Sequence, residues 1–146
     1  MTRKPIHFII LGLFLFLGTT TLSAQSSPIG IWKTIDDQTG EARSHVEIYE
    51  ENGVLYGKIV KLLEHSEDTV CETCPGDKKD QPLVNMIILW DVEAYKDYWS
   101  YGEIMDPENG KIYKCSVWLQ DDNTLKVRGY VGLSFLGRNQ FWYRVK

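Results

Sequence analysis

The 146-residue sequence has few of the residues that most often carry catalysis. It contains three histidines and three cysteines, and His7 lies in the N-terminal leader described below. His45 and His65 are then the histidines left for general-base catalysis. Neither lies in a nucleophile motif, and no G-x-S-x-G sequence or phosphate-binding glycine loop is present. These absences disfavour an enzyme, and they predict no catalytic residue and no cofactor.

Positive charge is also scarce. The sequence has 16 lysines and arginines against 20 aspartates and glutamates, and no basic cluster of the kind that binds nucleic acid or an anionic surface. Beyond the leader, no run is apolar enough to cross a membrane. We therefore expect no nucleic-acid partner and no transmembrane anchor, whereas a protein partner stays open.

Residues 1–24 have the three parts of a secretory signal peptide. Arg3 and Lys4 form the basic start, residues 8–17 form an apolar run, and residues 22–24 (LSA) supply small side chains for cleavage. The apolar run is shorter than the roughly 20 residues that span a bilayer. A lipid anchor would need cysteine where the chain has Gln25. We predict cleavage before Gln25 and export to the periplasm or the medium.

Residues 25–146 are expected to form one domain, because their number falls in the usual single-domain range. Without the two basic residues of the leader, 14 basic residues remain against 20 acidic ones, a formal net charge of −6. No sustained helical stripe is present, and short runs instead alternate between apolar and polar residues. The predicted strands are 29–34, 43–49, 54–62, 83–89, 98–105, 111–119, 125–131 and 140–145, with an irregular loop at 63–81 and a polar link at 91–97.

Turn residues separate these runs. Asn52-Gly53 is a strong hairpin signal, and Asp106, Pro107 and Gly110 belong to a tight turn in which they have structural roles. Eight strands joined mostly by hairpins predict an all-β fold, an eight-stranded antiparallel up-and-down β-barrel, because closure removes the exposed sheet edges. A two-sheet β-sandwich is the alternative.

Aromatic residues are abundant, with five tryptophans and eight tyrosines. Such rings can line a pocket for a small apolar or amphipathic ligand, or they can simply fill the barrel. Arginines near one end could meet an anionic group of a ligand, or could bond the carbonyls of their own loop. The candidate ligand-binding residues are Trp32, Tyr101, Tyr113, Arg128, Arg138 and Trp142.

Paired carboxylates leave a hydrolase as a less favoured hypothesis. Asp36, Asp37, Glu103 and Asp106 could supply acid and base. The aspartates lie in turns, where such side chains commonly cap the backbone. A redox or hydrolytic activity therefore ranks below a binding function.

The cysteines allow three interpretations. Cys71 and Cys74 form a C-x-x-C sequence, for which an exported protein favours a local disulfide bond. A redox pair is the second interpretation. The third is a metal site that adds His65 with Asp68 or Asp77, but it falls short of four strong ligands, so no metal is predicted. Cys115 is expected to be a buried free thiol, or else to pair with one of the loop cysteines.

Gly30 and Trp32 near the start and Arg144 near the end resemble the lipocalin pattern, in which an arginine of the last strand covers a tryptophan at the barrel floor. Gly129 has a structural role in its strand. A wider set of motifs resembles the bacterial DUF2147 family: 30–37 (GIWKTIDD), 56–60 (YGKIV), 106–113 (DPENGKIY), 125–132 (LKVRGYVG) and 136–138 (LGR), followed by Gln140 and Trp142.

The resemblance implies an exported bacterial protein with a lipocalin-like barrel, from a family whose biochemical function is not established. The chain has Asn85 and Tyr101 where the family commonly has glycine. A tyrosine at position 101 is expected to narrow any nearby pocket.

Overall fold

The computed structural model describes residues 26–146, and the predicted signal peptide lies outside the described residues. Alternating apolar residues form eight strands in this part of the chain. They are β1 (Gly30–Ile35), β2 (Ala42–Glu51), β3 (Val54–Leu62), β4 (Ile87–Tyr95), β5 (Tyr98–Asp106), β6 (Lys111–Asp121), β7 (Thr124–Tyr130) and β8 (Arg138–Arg144). Single 3₁₀ turns occur at Gly76–Lys78 and Ser134–Leu136. Within residues 26–146, no helix has the length and apolar character needed to span a membrane.

The strands form a closed barrel in which each strand pairs with the next one along the chain. All pairs are antiparallel, and β1 closes the barrel on β8 through the pairs Trp32 with Arg144 and Lys33 with Tyr143. The predicted up-and-down barrel is therefore confirmed, and the sandwich alternative is wrong.

The interior follows the period-two alternation of the sequence. In β2, Ser44, Val46 and Ile48 are buried, and the intervening residues face outward. Equivalent positions on the other strands complete one core inside the barrel. The sequence therefore specifies the inner face of each strand directly.

The fourth strand differs from its prediction. It begins at Ile87 and not at 83, and it continues to Tyr95, so it includes residues 91–95 of the predicted link at 91–97. Leu55 pairs with Val92 and Gly57 with Leu89, so β4 carries an extra residue opposite β3. Asp91 lies in this bulge with φ of 54°. The bulge lets polar Asp91 and Glu93 face outward while Val92 stays buried, which explains why the segment looks like a link in the sequence.

The meander gives the barrel two ends. The open end is the end formed by the β1–β2, β3–β4, β5–β6 and β7–β8 connections. The closed end comprises the other three hairpin turns and residues 26–29. Thus the Asp106–Gly110 turn and the β7–β8 loop lie at the same end, as their positions in a meander predict.

An arginine and a tryptophan form the floor at the closed end. The Arg144 guanidinium carbon lies 4.2 Å from the centre of the Trp32 ring. The same guanidinium donates hydrogen bonds to the carbonyls of Ser27, Ile29 and Asp122. Gly30 has φ of 141°, and a Cβ there would lie 2.6 Å from Arg144 Nη1. Glycine is therefore required for the close approach that seals this end.

Candidate functional site

A cavity of about 630 Å³ occupies the open half of the barrel. Its size lies within the roughly 300–1,000 Å³ typical of small-molecule sites. The wall is mainly apolar, because inward positions of several strands face the same space. The apolar lining residues are Ile59, Leu62, Val70, Leu83, Ile88, Ile104, Met105, Pro107, Tyr113, Val127 and Trp142.

The closed half of the barrel is filled with side chains. Its fully buried residues include Trp32, Ile48, Leu55, Val92 and Leu125, and none of these lines the cavity. Buried side chains in protein cores are generally close-packed, with few voids larger than a water molecule. The interior is thus divided into a packed floor and an open chamber.

Arg43 contacts three carboxylates on one side of the cavity mouth. Its Nη2 lies 2.5 Å from Asp36 Oδ2, and its Nη1 lies 3.4 Å from Glu64 Oε2. Nη1 also forms an ion pair with Glu108 of the β5–β6 turn. One guanidinium therefore joins three carboxylates that come from separate connections of the open end.

Asp36 also holds the β1–β2 turn. Its Oδ1 accepts hydrogen bonds from the backbone amides of Gln38 at 2.8 Å and Thr39 at 2.7 Å. The Thr39 amide is the largest cause that lowers the pKa of Asp36 to about 2, with the Gln38 amide and the Arg43 guanidinium acting in the same direction and burial opposing them. Asp36 is therefore ionised at neutral pH.

A second ion pair lies across the mouth. Arg138 donates to Asp37 through Nε and, at 2.5 Å, through Nη2. Gln140 donates to the same carboxylate at 3.4 Å and accepts from Trp142 Nε1 at 3.3 Å. The guanidinium of Arg138 is the main cause that lowers the pKa of Asp37. Arg138 thus already has a bidentate carboxylate partner within the protein.

Asp106 is a half-buried carboxylate of the mouth. It accepts hydrogen bonds from the Glu108 amide at 3.0 Å and from Asn109 Nδ2 at 2.9 Å. It forms no ion pair within residues 26–146. Burial raises its pKa, and the more distant charges of Arg43 and Arg138 oppose this effect.

The long β3–β4 loop reaches over the mouth and is held there. Cys71 and Cys74 are joined by a disulfide bond in this loop. Thr73 Oγ1 donates to the Pro107 carbonyl at 2.8 Å. Gly110 has φ of 69°, and a Cβ there would clash with the Thr73 carbonyl. Contact with the β5–β6 turn therefore positions Glu72 and Thr73 at the cavity.

The third cysteine lies away from this loop. Cys115 of β6 is a buried free thiol, and burial raises its pKa to about 12. It is therefore protonated and unreactive at neutral pH.

The predicted ligand-binding residues fall into two groups. Tyr113, Arg138 and Trp142 line the cavity, as do Asp106, Pro107 and Gly129, to which the sequence assigned structural roles. Trp32 lies instead in the floor. Arg128 lies outside the cavity lining, where it donates hydrogen bonds to the carbonyls of Ser134 and Phe135 and to Asn139 Oδ1. It therefore orders the β7–β8 loop.

Tyr101, a predicted ligand-binding residue expected to narrow any nearby pocket, does not line the cavity. Its side chain faces outward and is 64% exposed. Ser100 and Gly102, on either side of it, are buried. A Cβ at Gly102 would clash with the backbone of β4. Position 101 thus faces solvent, where Tyr101 adopts φ of 66° and lines a separate surface pocket of about 430 Å³.

The catalytic candidates of the sequence do not form one cluster. Asp36, Asp106 and His65 line the cavity, whereas Glu103 accepts a hydrogen bond from Trp90 Nε1 at 3.1 Å and lies outside its lining. His45 lies on the outward-facing side of β2. Among residues 26–146, no group of three His, Cys, Asp or Glu side chains is arranged to hold a metal ion.

Sequence reasoning missed Arg43, Glu64 and Glu72 as residues of the site. The predicted strand topology could have indicated that these residues lie at the cavity mouth. In a meander, the start of β2 and the connection after β3 reach the same end as the Asp106–Gly110 turn, so charged residues there surround the mouth.

A closed eight-stranded meander with a packed floor and an apolar chamber defines a lipocalin-like β-barrel protein. Residues 30–144 match the sequence model of a family described as "Uncharacterized protein conserved in bacteria (DUF2147)", and the chain belongs to this family.

A similar solved structure is that of protein HP1028 from Helicobacter pylori, which is described as belonging to the lipocalin family. The TM-score is 0.72 at 21% sequence identity, with coverage of 82% of this chain and 84% of that chain. A likeness at this level of identity shows the fold alone. No curated protein matches the chain.

Proposed function

We propose that the protein is an exported binding module that holds a small apolar or amphipathic molecule in the open-end cavity. The observation that carries the proposal is the apolar chamber of about 630 Å³ in a barrel whose other half is packed. A chamber that opens at one end of the barrel and has apolar side chains in its wall suits an amphipathic molecule. The apolar part of the molecule enters the chamber, and its polar end stays in water.

The energetics favour a ligand with a substantial apolar part. Burial of each methylene group contributes about 0.8 kcal/mol. A chain of about ten carbons would therefore gain about 8 kcal/mol, which is comparable with the roughly 4–15 kcal/mol cost of association. Polar contacts at the mouth would then decide which molecule binds.

Native mass spectrometry of the protein purified from its own bacterial host tests this proposal. We expect a co-purifying small molecule that remains bound in the native spectrum and leaves on denaturation. Gly129→Leu supplies the comparison, because a side chain built at Gly129 would meet Tyr113 and Ile104 inside the cavity. This variant should show no bound small molecule in its native mass spectrum. A wild-type barrel that is always empty, or a molecule retained equally by both proteins, would contradict the proposal.

An interaction protein of the cell envelope is the second candidate function. The β7–β8 loop favours it, because the side chains of Val131, Leu133, Phe135 and Leu136 are 60–73% exposed. Exposed apolar groups this close together often mark contact surfaces. Crosslinking in intact cells, with Phe135→Ser as the comparison, should yield an adduct that the variant loses. A protein that forms no adduct and sediments as a monomer at every concentration would oppose this function.

A further inference from the structure

Negative charge predominates at the cavity mouth. Five carboxylates line the cavity, those of Asp36, Glu64, Glu72, Asp106 and Glu108. They face only two arginines, Arg43 and Arg138. The mouth therefore has a net negative charge, in keeping with the net charge of −6 for residues 25–146.

Both arginines already have anionic partners. Arg43 contacts the carboxylates of Asp36, Glu64 and Glu108. Arg138 is bound by Asp37, which does not itself line the cavity. An anionic ligand would compete with these internal carboxylates for the two guanidinium groups, whereas a cationic ligand would not.

Two carboxylates at the mouth have no cationic partner. Asp106 and Glu72 form no ion pair within residues 26–146. Asp106 is half-buried and follows Met105, a buried residue of the apolar wall. It thus lies where the apolar chamber meets the polar mouth, the position expected for the headgroup of an amphipathic guest.

We propose that the cavity selects amphipathic molecules whose polar end carries a positive charge, such as an alkyl amine or a quaternary ammonium. The inference rests on the proposed function, because it specifies the ligand class of the same cavity. The apolar chamber takes the hydrocarbon part, and the Asp106 carboxylate, with Glu72 beside the mouth, attracts the cation.

Three probes with the same ten-carbon chain test the charge preference. Isothermal titration calorimetry at low ionic strength compares decyltrimethylammonium, decyl glucoside and decanoate below their micelle concentrations, with protein purified from its host. We expect the cation to bind about tenfold more tightly than the neutral probe, and the anion to bind most weakly. Added salt should weaken binding of the cation and leave the neutral probe unchanged.

Substitution of the unpaired carboxylates assigns the effect to residues. Asp106→Asn should remove most of the preference for the cation and leave affinity for decyl glucoside within about twofold. Asp97→Asn is the matched control, because Asp97 lies in the β4–β5 turn at the closed end, and it should change nothing. Asp106→Asn removes a carboxylate that holds its own turn, so Glu72→Gln gives a second and smaller reduction, because the Glu72 side chain makes no hydrogen bond within residues 26–146.

The possible results separate this inference from the proposed function. If no probe binds, the proposed function itself fails. If decyl glucoside binds, and decanoate binds as tightly as the cation or more tightly, the cavity is a ligand site but the charge preference is wrong. If the cation is preferred but Asp106→Asn and Glu72→Gln bind like wild type, the assignment to these carboxylates is overturned.

Discussion

The two ends of the barrel use arginine in different ways. At the closed end, Arg144 lies over the Trp32 ring and donates to three backbone carbonyls, so its partners are uncharged. At the open end, Arg43 and Arg138 bind carboxylates of the connecting segments. The first arrangement seals the interior. The second arrangement links the connecting segments around the cavity mouth and leaves the cavity open.

The largest expected effect comes from truncating the two buried tryptophans, Trp32 in the packed floor and Trp142 in the cavity lining. Trp32→Ala should lower the free energy of unfolding by about 3–5 kcal/mol, since the ring is enclosed by the floor. Trp142→Ala should cost less, because one side of that ring already faces the cavity and contacts fewer atoms. Urea unfolding measures both. A loss for Trp142→Ala equal to or greater than that for Trp32→Ala would remove the distinction between the packed floor and the cavity lining.

Arginine replacement should give an intermediate effect. Arg144→Met removes three hydrogen bonds and the contact with Trp32, and should cost about 1–2 kcal/mol of unfolding free energy. Arg138→Met breaks an exposed ion pair and should cost less than about 1 kcal/mol. Thermal unfolding at two salt concentrations compares them. Salt should reduce only the Arg138 difference, and the reverse order of stability would contradict the two roles.

Asp36 should make the open end sensitive to acid. Its folded pKa of about 2 lies below the usual aspartate value of 3.8, so its contribution to stability is present above about pH 4 and is lost as pH falls through 2. Asp36→Asn should cost about 1 kcal/mol near neutral pH, and the difference should vanish near pH 2. Unfolding curves across this range measure it, with Asp97→Asn as the control for loss of a carboxylate at the closed end. A difference that persists unchanged at pH 2 would disprove this role.

Much of the closed end could be predicted from the sequence. Alternation in the runs around Val46 and Val127 assigned the inner face, and Gly30, Trp32 and Arg144 indicated the floor. These signals are local, or depend only on pairing the first strand with the last. The extra residue at Asp91 could not be predicted, because a bulge depends on the register with β3.

The open end was less predictable, because its contacts join distant connections. Arg43 and Glu108 meet only after four strands have paired, and no spacing in the sequence records that contact. Arg138 was recognised as a residue of this end, but the carboxylate that binds it, Asp37, is 101 residues away. The role of Arg128 in the β7–β8 loop could not be predicted either, because its hydrogen-bond partners depend on the conformation of that loop.

The central claim is that the open-end cavity holds an apolar guest, and calorimetric titration with decyl glucoside tests it most directly. Wild type should bind one equivalent. Gly129→Leu, which places a four-carbon side chain in the cavity, should lose at least about tenfold in affinity. Thr124→Leu, an outward change near the closed end of the same strand, should bind like wild type. Equal affinity in all three proteins, or no binding to wild type, would contradict the account.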